Sequence, residues 1–162
     1  MPDDIEAAVP EKPELSILLR RKMYNLFKPE QPAGLMDFVK AAKSCISEIT
    51  PEALKAKLDA REDLLLVDVR EPAEFEHGHI DGAHHVPRGI LEAAADTSYP
   101  KHYPPLSGAR DRQVVVYCAT SGRSAMAAAV LQMMGFKKVL NVAGGIARWE
   151  AEGMPLVREA EY

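Results

Sequence analysis

The rhythm of apolar positions along the chain changes near residue 46. Before it, Pro2, Pro10, Pro13, Pro29 and Pro32 punctuate two stretches that predict helices, one from about Leu15 to Phe27 and one from about Leu35 to Cys45. In the first, Leu15, Leu18, Leu19, Met23, Tyr24 and Leu26 form one apolar face that Arg20, Arg21 and Lys22 interrupt only partly. After residue 46, strand and helix patterns alternate. Thr50 followed by Pro51 predicts an N-cap and first helical residue, with Leu54 and Leu58 at helical spacing up to Asp59. Leu64 to Val69 is continuously apolar except for Asp68, the pattern of a strand buried on both faces. A short strand fits Ala83 to Val86, stopped by Pro87, and further strands fit Gln113 to Cys118 and Val139 to Val142. Helices fit Arg123 to Met134 and Ile146 to Glu152. No internal repeat is visible.

Such alternation predicts an α/β fold: a parallel sheet of about five strands with helices on both faces, and chemistry gathered at the carboxyl ends of the strands. The change of rhythm predicts an N-terminal helical extension over residues 1–45, a domain over 46–157 and a short tail over 158–162. At 162 residues and 47% hydrophobic composition, the chain can bury one core and is too short for two full domains. No run approaches the eighteen or so apolar residues of a membrane span. The first residues include Asp3, Asp4 and Glu6 instead of a basic, then apolar, secretory pattern, so the expected location is cytoplasmic. A net charge of -4 and sparse aromatics leave no footprint for nucleic acid.

The two cysteines are Cys45 and Cys118, and cytosolic thiols stay reduced. Cys45 has Ala41, Ala42 and Ile46 as neighbours and fits a helix packing face. Cys118 stands at the end of an expected central strand, followed by Ala119, Thr120, Ser121, Gly122, Arg123 and Ser124. Unpaired N–H groups at the start of the next helix, together with its macrodipole, favour an anion held in front of them, and a thiolate is such an anion. Arg123 adds a planar guanidinium suited to oxyanions, and Thr120, Ser121 and Ser124 add hydroxyl donors with little bulk. A cysteine at a strand end is often only a small buried hydrophobe. Four small residues and an arginine after it favour a nucleophile at the floor of a small anion pocket.

These residues resemble the rhodanese-like sulfurtransferases, specifically the single-domain thiosulfate sulfurtransferases. Three blocks carry the resemblance: Asp68 to Phe75 with Gly78 to Ala83 and Val86-Pro87; Tyr117-Cys118 through Arg123-Ser124; and Asn141 to Gly145 with Trp149 and Gly153 to Leu156. They cover about Ile46 to Val157 in the family's order and spacing. The resemblance implies that Cys118 accepts a sulfane sulfur from a small anionic donor such as thiosulfate, becomes a persulfide, and passes the outer sulfur to a thiol or cyanide-like acceptor. It implies that Arg123 closes the pocket, that Ala119 to Gly122 and Ser124 line it, and that no cofactor or metal takes part. Two positions depart from the commonest pattern: Ala119 is uncharged where many relatives have a basic residue, and Ser121 stands where glycine is frequent. If that position needs a positive φ, a serine costs roughly 1 kcal/mol, and the turn is expected to move by one residue to Gly122.

Other polar residues admit two readings. Asp68 and Arg70, on the rim beside the cysteine, either orient the loop from behind or form a buried ion pair with Glu74 or another neighbour. Arg88 either meets the anionic end of the substrate or is a solvated residue at a helix start. His77, His79, His84 and His85 raise a metal site, but adjacent His84 and His85 would face opposite sides of a strand, and the resemblance places His79 in a structural turn. Gly144 and Gly145 mark a tight strand-to-helix turn, and Trp149 belongs to the core. The apolar face of the extension can pack on its own domain, form a homodimer, or lie on a membrane. Three functions stay open: a sulfurtransferase, a non-enzymatic module of the same fold that binds a partner or delivers sulfur, and a phosphatase of the dual-specificity kind. Those phosphatases separate cysteine and arginine by five residues, where this chain has four.

Overall fold

Runs of Val, Leu and Ile that can satisfy their backbone groups only beside one another pair here into one five-stranded parallel sheet. The computed structural model describes residues 17–18, 21–25 and 28–158. In chain order its elements are α1 (Leu35–Lys43), β1 (Ser47–Ile49), α2 (Pro51–Asp59), β2 (Leu64–Asp68), α3 (Pro72–His77), β3 (His84–His85), a 3-10 turn (Arg88–Ile90), α4 (Leu91–Ala95), α5 (Pro104–Ser107), β4 (Gln113–Tyr117), α6 (Gly122–Met133), β5 (Lys138–Val142) and α7 (Gly145–Ala151). The strands lie in the order β1-β5-β4-β2-β3, which puts β4 at the centre. The register sets Asp68 beside both Tyr117 and His85, and Val116 beside Asn141, so the polar ends of β2, β4 and β5 emerge on one rim.

Alternation along the strands divides the core between two faces. Leu65, Val67, Val114, Val116 and Cys118 pack toward α4, α5 and α6. Leu66, Val115, Tyr117 and Val142 pack toward α2 and α7 through Leu54, Ile146 and Trp149. Each fully buried aliphatic side chain of this kind contributes about 1.5–3 kcal/mol. The expected cap of α2 is present, with Thr50 Oγ1 accepting from the Ala53 N–H at 3.1 Å and Pro51 in the first turn. The strand after His79 is shorter than its pattern predicts: only His84–His85 pair in register with β2, although the Val86 and Arg88 N–H groups on either side of Pro87 still donate to the Asp68 and Val69 carbonyls at 3.0 and 2.9 Å. The first strand, β1, and the short helices α3, α4 and α5 carry too few periodic positions to be read from the chain.

Helix α6 is buried on more than one side, because Ala125, Ala127, Ala128 and Ala129 let both the sheet and α1 approach it. A third cluster of Met23, Ala42, Cys45, Ala125 and Ala129 joins the extension to α6, and Cys45 is a packing residue within it. The helix expected from Leu15 to Phe27 falls partly outside the described residues, which include helical turns at 17–18 and 21–24. Of its expected apolar face, Leu15, Leu19 and Leu26 lie outside them. Met23 is fully buried, but Leu18 and Tyr24 are exposed, because of these three Met23 is the one phased toward the seam with α1 and α6. No helix among the described residues is long and apolar enough to cross a membrane.

Candidate active site

Cys118 follows the last residue of the central strand and is 1% exposed. Its Sγ accepts hydrogen bonds from the Ser121 N–H at 3.2 Å, the Ser124 N–H at 3.4 Å and the Ser124 hydroxyl at 3.3 Å. Ser124 is the third residue of α6, so the sulfur does for that helix what a side-chain oxygen does at an ordinary N-cap. The N–H groups of Ala119, Thr120, Gly122 and Arg123 meet no acceptor among the described residues. An anion in front of Cys118 therefore faces a ring of backbone donors and the positive end of a twelve-residue helix. On the opposite side, the Cys118 and Ala119 carbonyls accept from Ile146 and Ala147 at the start of α7, at 2.9 and 3.0 Å. The approach is so close that a Cβ on Gly145, whose φ is +61°, would lie 2.5 Å from the Ala119 oxygen. The glycine pair thus turns the chain, as its pattern predicts, and also lets α7 hold the back of the cysteine loop.

The turn does not move on to Gly122. Ser121 itself takes φ +130° and ψ -7°, a conformation that L side chains rarely adopt. The neighbours hold it there from several directions. Its carbonyl accepts from Ala125 N–H at 2.9 Å, from the Ser124 hydroxyl at 3.3 Å and from Asn141 Nδ2 at 3.3 Å. Its own hydroxyl accepts from Lys43 Nζ at 2.7 Å. Asn141 is fully buried and also donates to Glu48 at 3.0 Å, while its Oδ1 meets no partner among the described residues.

Arg123 reaches across the mouth of the loop. Its Nη1 and Nη2 donate to Glu74 Oε1 and Oε2 at 2.7 and 2.9 Å, a two-pronged pair with both side chains more than a third exposed. Glu74 is itself oriented by the start of α3, where its Oε1 accepts from the Glu71 N–H at 3.0 Å. The hydrogen bonds from Arg123 hold the Glu74 carboxyl down at about 2, against some opposition from burial and with help from the Glu71 N–H. Reciprocally, Glu74 first, and the nearby Cys118 among other groups, hold the Arg123 proton more firmly than usual. Thr120 is exposed on the outer side of the loop, and Ala119 and Gly122 are half-buried beside it.

Asp68 and Arg70 join each other and not the loop. Arg70 Nε donates to Asp68 Oδ1 at 3.0 Å, and its Nη2 donates to Asp68 Oδ2 at 2.8 Å and to the Gly78 carbonyl at 2.7 Å. Of the two ion-pair readings, the partner is Asp68 and not Glu74, because Glu74 is taken by Arg123. Burial works against the Arg70 charge, but the Asp68 hydrogen bonds and charge outweigh it. Beside them, the Tyr117 hydroxyl accepts from the Ile80 N–H at 3.1 Å, and burial, with the Asp68 charge, pushes its ionisation far above the usual range. Arg88 pairs with Glu92 at 2.9 Å and lines a small apolar groove with Phe38, Ala42 and Met126, so it makes no contact with the loop. The histidines are engaged separately: His79 Nδ1 with the Phe75 carbonyl, His85 Nε2 with the Arg70 carbonyl, and His84 Nδ1 with the Tyr103 hydroxyl. His79 also forms a bridge to Val157, a longer-range contact than a local turn. A cleft of about 420 Å³ lies between Lys55, Arg61, Asp81 and Trp149, away from Cys118.

Three contributors to the loop escape the sequence reading: Lys43, Glu74 and Asn141. Glu74 and Asn141 left a signal, since Glu74 follows a Pro at a helix start and Asn141 interrupts an otherwise apolar strand. Lys43 left none, being one of many lysines and 78 positions from its partner.

The model for the rhodanese-like domain matches residues 50–152. A sulfurtransferase of Allochromatium vinosum is 38% identical over 112 residues, covering 69% of this chain and 95% of that protein. Of the "Probable adenylyltransferase/sulfurtransferase MoeZ" of Mycobacterium tuberculosis, 35% identical over 136 residues, the chain spans only 32% of the length. Among solved structures, a Rhodopseudomonas palustris protein described as of unknown function and a possible tyrosine phosphatase superposes with TM-score 0.73 at 33% identity, covering 80% of this chain and 98% of that one. The polysulfide-sulfur transferase homodimer of Wolinella succinogenes superposes with TM-score 0.59 at 32% identity, covering 76% and 87%. With the sheet order, the cysteine loop and the family match over most of its length, the chain belongs to the rhodanese-like domain family.

Proposed function

We propose that the protein is a sulfurtransferase that carries a sulfane sulfur as a persulfide on Cys118. One observation carries this reading: the Cys118 sulfur sits at the focus of the Ser121 and Ser124 N–H groups and the Ser124 hydroxyl, at the start of α6. Donors aimed at one sulfur stabilise the thiolate that attacks, and further N–H groups around it suit the extra sulfur of the product. In the first half-reaction the Cys118 thiolate attacks the outer sulfur of thiosulfate. The donor's S–S bond breaks, sulfite leaves with the electron pair, and Cys118 becomes a persulfide anion. In the second, a thiolate or cyanide attacks the outer sulfur and the Cys118 thiolate leaves. Each half balances in electrons, so the reaction needs no cofactor. A reducing compartment such as the cytoplasm keeps the resting thiol available.

Thiosulfate is the proposed donor because a small dianion fits a donor-lined loop. Arg123 serves it in this reading, either with the N–H groups that point away from Glu74 or by exchanging Glu74 for the donor's oxyanion. The Wolinella relative's polysulfide is the alternative donor class. A phosphatase is the less favoured reading, since four residues between Cys118 and Arg123 make a small cradle whose sulfur is almost wholly buried. A module that delivers sulfur to a partner without turnover would share the persulfide and differ only in the acceptor.

Intact-mass measurement after exposure to thiosulfate tests the reading. Wild type should gain one sulfur, removable by cyanide, and Cys118→Ser should gain none while melting at nearly the same temperature. A one-sulfur gain on Cys118→Ser, or efficient hydrolysis of an aryl phosphate by wild type, would overturn it.

A further inference from the structure

The extension helix α1 packs along α6 and ends beside the cysteine loop, where Lys43 donates to the Ser121 hydroxyl at 2.7 Å. Val39 of α1 closes on the same point, since a Cβ on Gly122 would lie 3.3 Å from it. Ser121 is the residue that most needs support. It is 5% exposed, holds a φ of +130°, and has its N–H on the Cys118 sulfur. A glycine would adopt this conformation freely; a serine must be held in it, and it offers in return a hydroxyl by which it can be held.

We infer that Lys43 is a positioning residue for the cysteine loop: by holding the Ser121 hydroxyl, the extension keeps the Ser121 N–H directed at Cys118. The tether rests on geometry alone, and its consequence for turnover rests on the sulfur-transfer reading. Two features make it more than a surface contact. The bond joins an ammonium to a nearly buried hydroxyl, and such charge-assisted bonds are stronger than neutral ones. The hydroxyl it holds belongs to the same residue as the N–H that touches the reacting atom, three covalent bonds away, so fixing the hydroxyl restrains that N–H. The ammonium adds a cation at the loop, where the guanidinium of Arg123 is already balanced by Glu74.

The test uses the full chain with Lys43→Met, Lys43→Arg, Ser121→Ala and the double variant Lys43→Met/Ser121→Ala. Lys43 is exposed, so its replacement should leave the melting temperature nearly unchanged. Two rates are read: sulfur gain on Cys118 from thiosulfate, and alkylation of Cys118 by iodoacetamide at neutral pH, followed on the Cys118 peptide by mass spectrometry. Lys43→Met should slow both on the order of tenfold, the scale of one hydrogen bond to a charged group. Lys43→Arg should recover most of the loss, and Lys43→Met should have no further effect in the Ser121→Ala background. Alkylation at the wild-type rate in Lys43→Met, or an undiminished loss in the Ser121→Ala background, would overturn the tether. If wild type gains no sulfur while the alkylation pattern holds, the sulfur-transfer reading fails and the tether stands.

Discussion

Two arginine–carboxylate pairs lie on the same rim of the sheet, and they differ in nearly everything except that both are two-pronged. Arg70 and Asp68 are 7% and 0% exposed, with a further bond from Arg70 to Gly78. Arg123 and Glu74 are 40% and 36% exposed and stand at the mouth of the cysteine loop. A buried charge that has lost its water cannot release its partner without a large penalty, so the first pair works as a strut between β2 and the turn after α3. Water can replace either member of the second pair at little cost, so it can open for an anion. Burial, and not the identity of the residues, separates the arginine locked to its carboxylate from the one that stands solvated at the mouth of the loop.

The largest expected effect comes from breaking the buried pair. Arg70→Met leaves the Asp68 carboxylate without its partner and should cost about 3–5 kcal/mol of stability. In a chain of this size that lowers the melting temperature by roughly 6–20 °C. A calorimetric shift under about 2 °C would mean that water or another donor reaches Asp68.

At the mouth, the same kind of change should act on turnover instead. Arg123→Lys keeps the charge but loses the planar fork, and should lower sulfur transfer by about 2–4 kcal/mol of activation free energy, thirty-fold to nearly a thousand-fold. Its melting temperature should stay within about 2 °C of wild type. A sulfane-sulfur assay across thiosulfate concentrations reads this, and full activity in Lys would reduce Arg123 to a source of general positive potential.

The smallest effect is on acid stability, where the exposed pair can be titrated alone. The Glu74 carboxyl is held at about 2, below its ordinary 4.5, so the native state binds its proton less readily than the unfolded chain. The stabilisation is therefore complete above pH 4.5 and is lost as pH falls toward 2. Because the pair is solvated, it is worth at most about 1 kcal/mol. Glu74→Gln should flatten that part of the stability profile, measured by denaturant melts between pH 5 and 3, and lower stability near pH 7 by at most about 1 kcal/mol without changing its slope there. An unaltered acid limb in the variant would show that Glu74 is not clamped by Arg123 in solution.

The comparison also marks where local pattern ends. Leu64 to Val69 and Gln113 to Cys118 are legible because a strand covered on both faces has no polar position to spare, and the alternation with helices then implies a parallel sheet. Cys118 and Arg123 are legible as neighbours because they and the small residues between them share one loop. The partners of the two arginines were not legible: Asp68, Arg70 and Glu74 lie within seven positions of one another, and nothing local says which carboxylate takes which arginine. Arg88 reads equally well as a substrate contact or as a solvated residue at a helix start, and in the fold it pairs with Glu92.

What the chain determined by itself is therefore the sheet, its central strand, and a cysteine at that strand's carboxyl end. These follow from periodicity and from contacts between near neighbours. Tertiary packing decided the rest: that Ser121 and not Gly122 takes the positive φ, that α7 grips the loop's carbonyls through Gly145, and that Lys43 reaches Ser121 from the extension. The physical reason is the same in each case. A backbone conformation outside the common wells, or a hydrogen bond between residues 78 positions apart, is stable only when elements distant in sequence already stand in place around it.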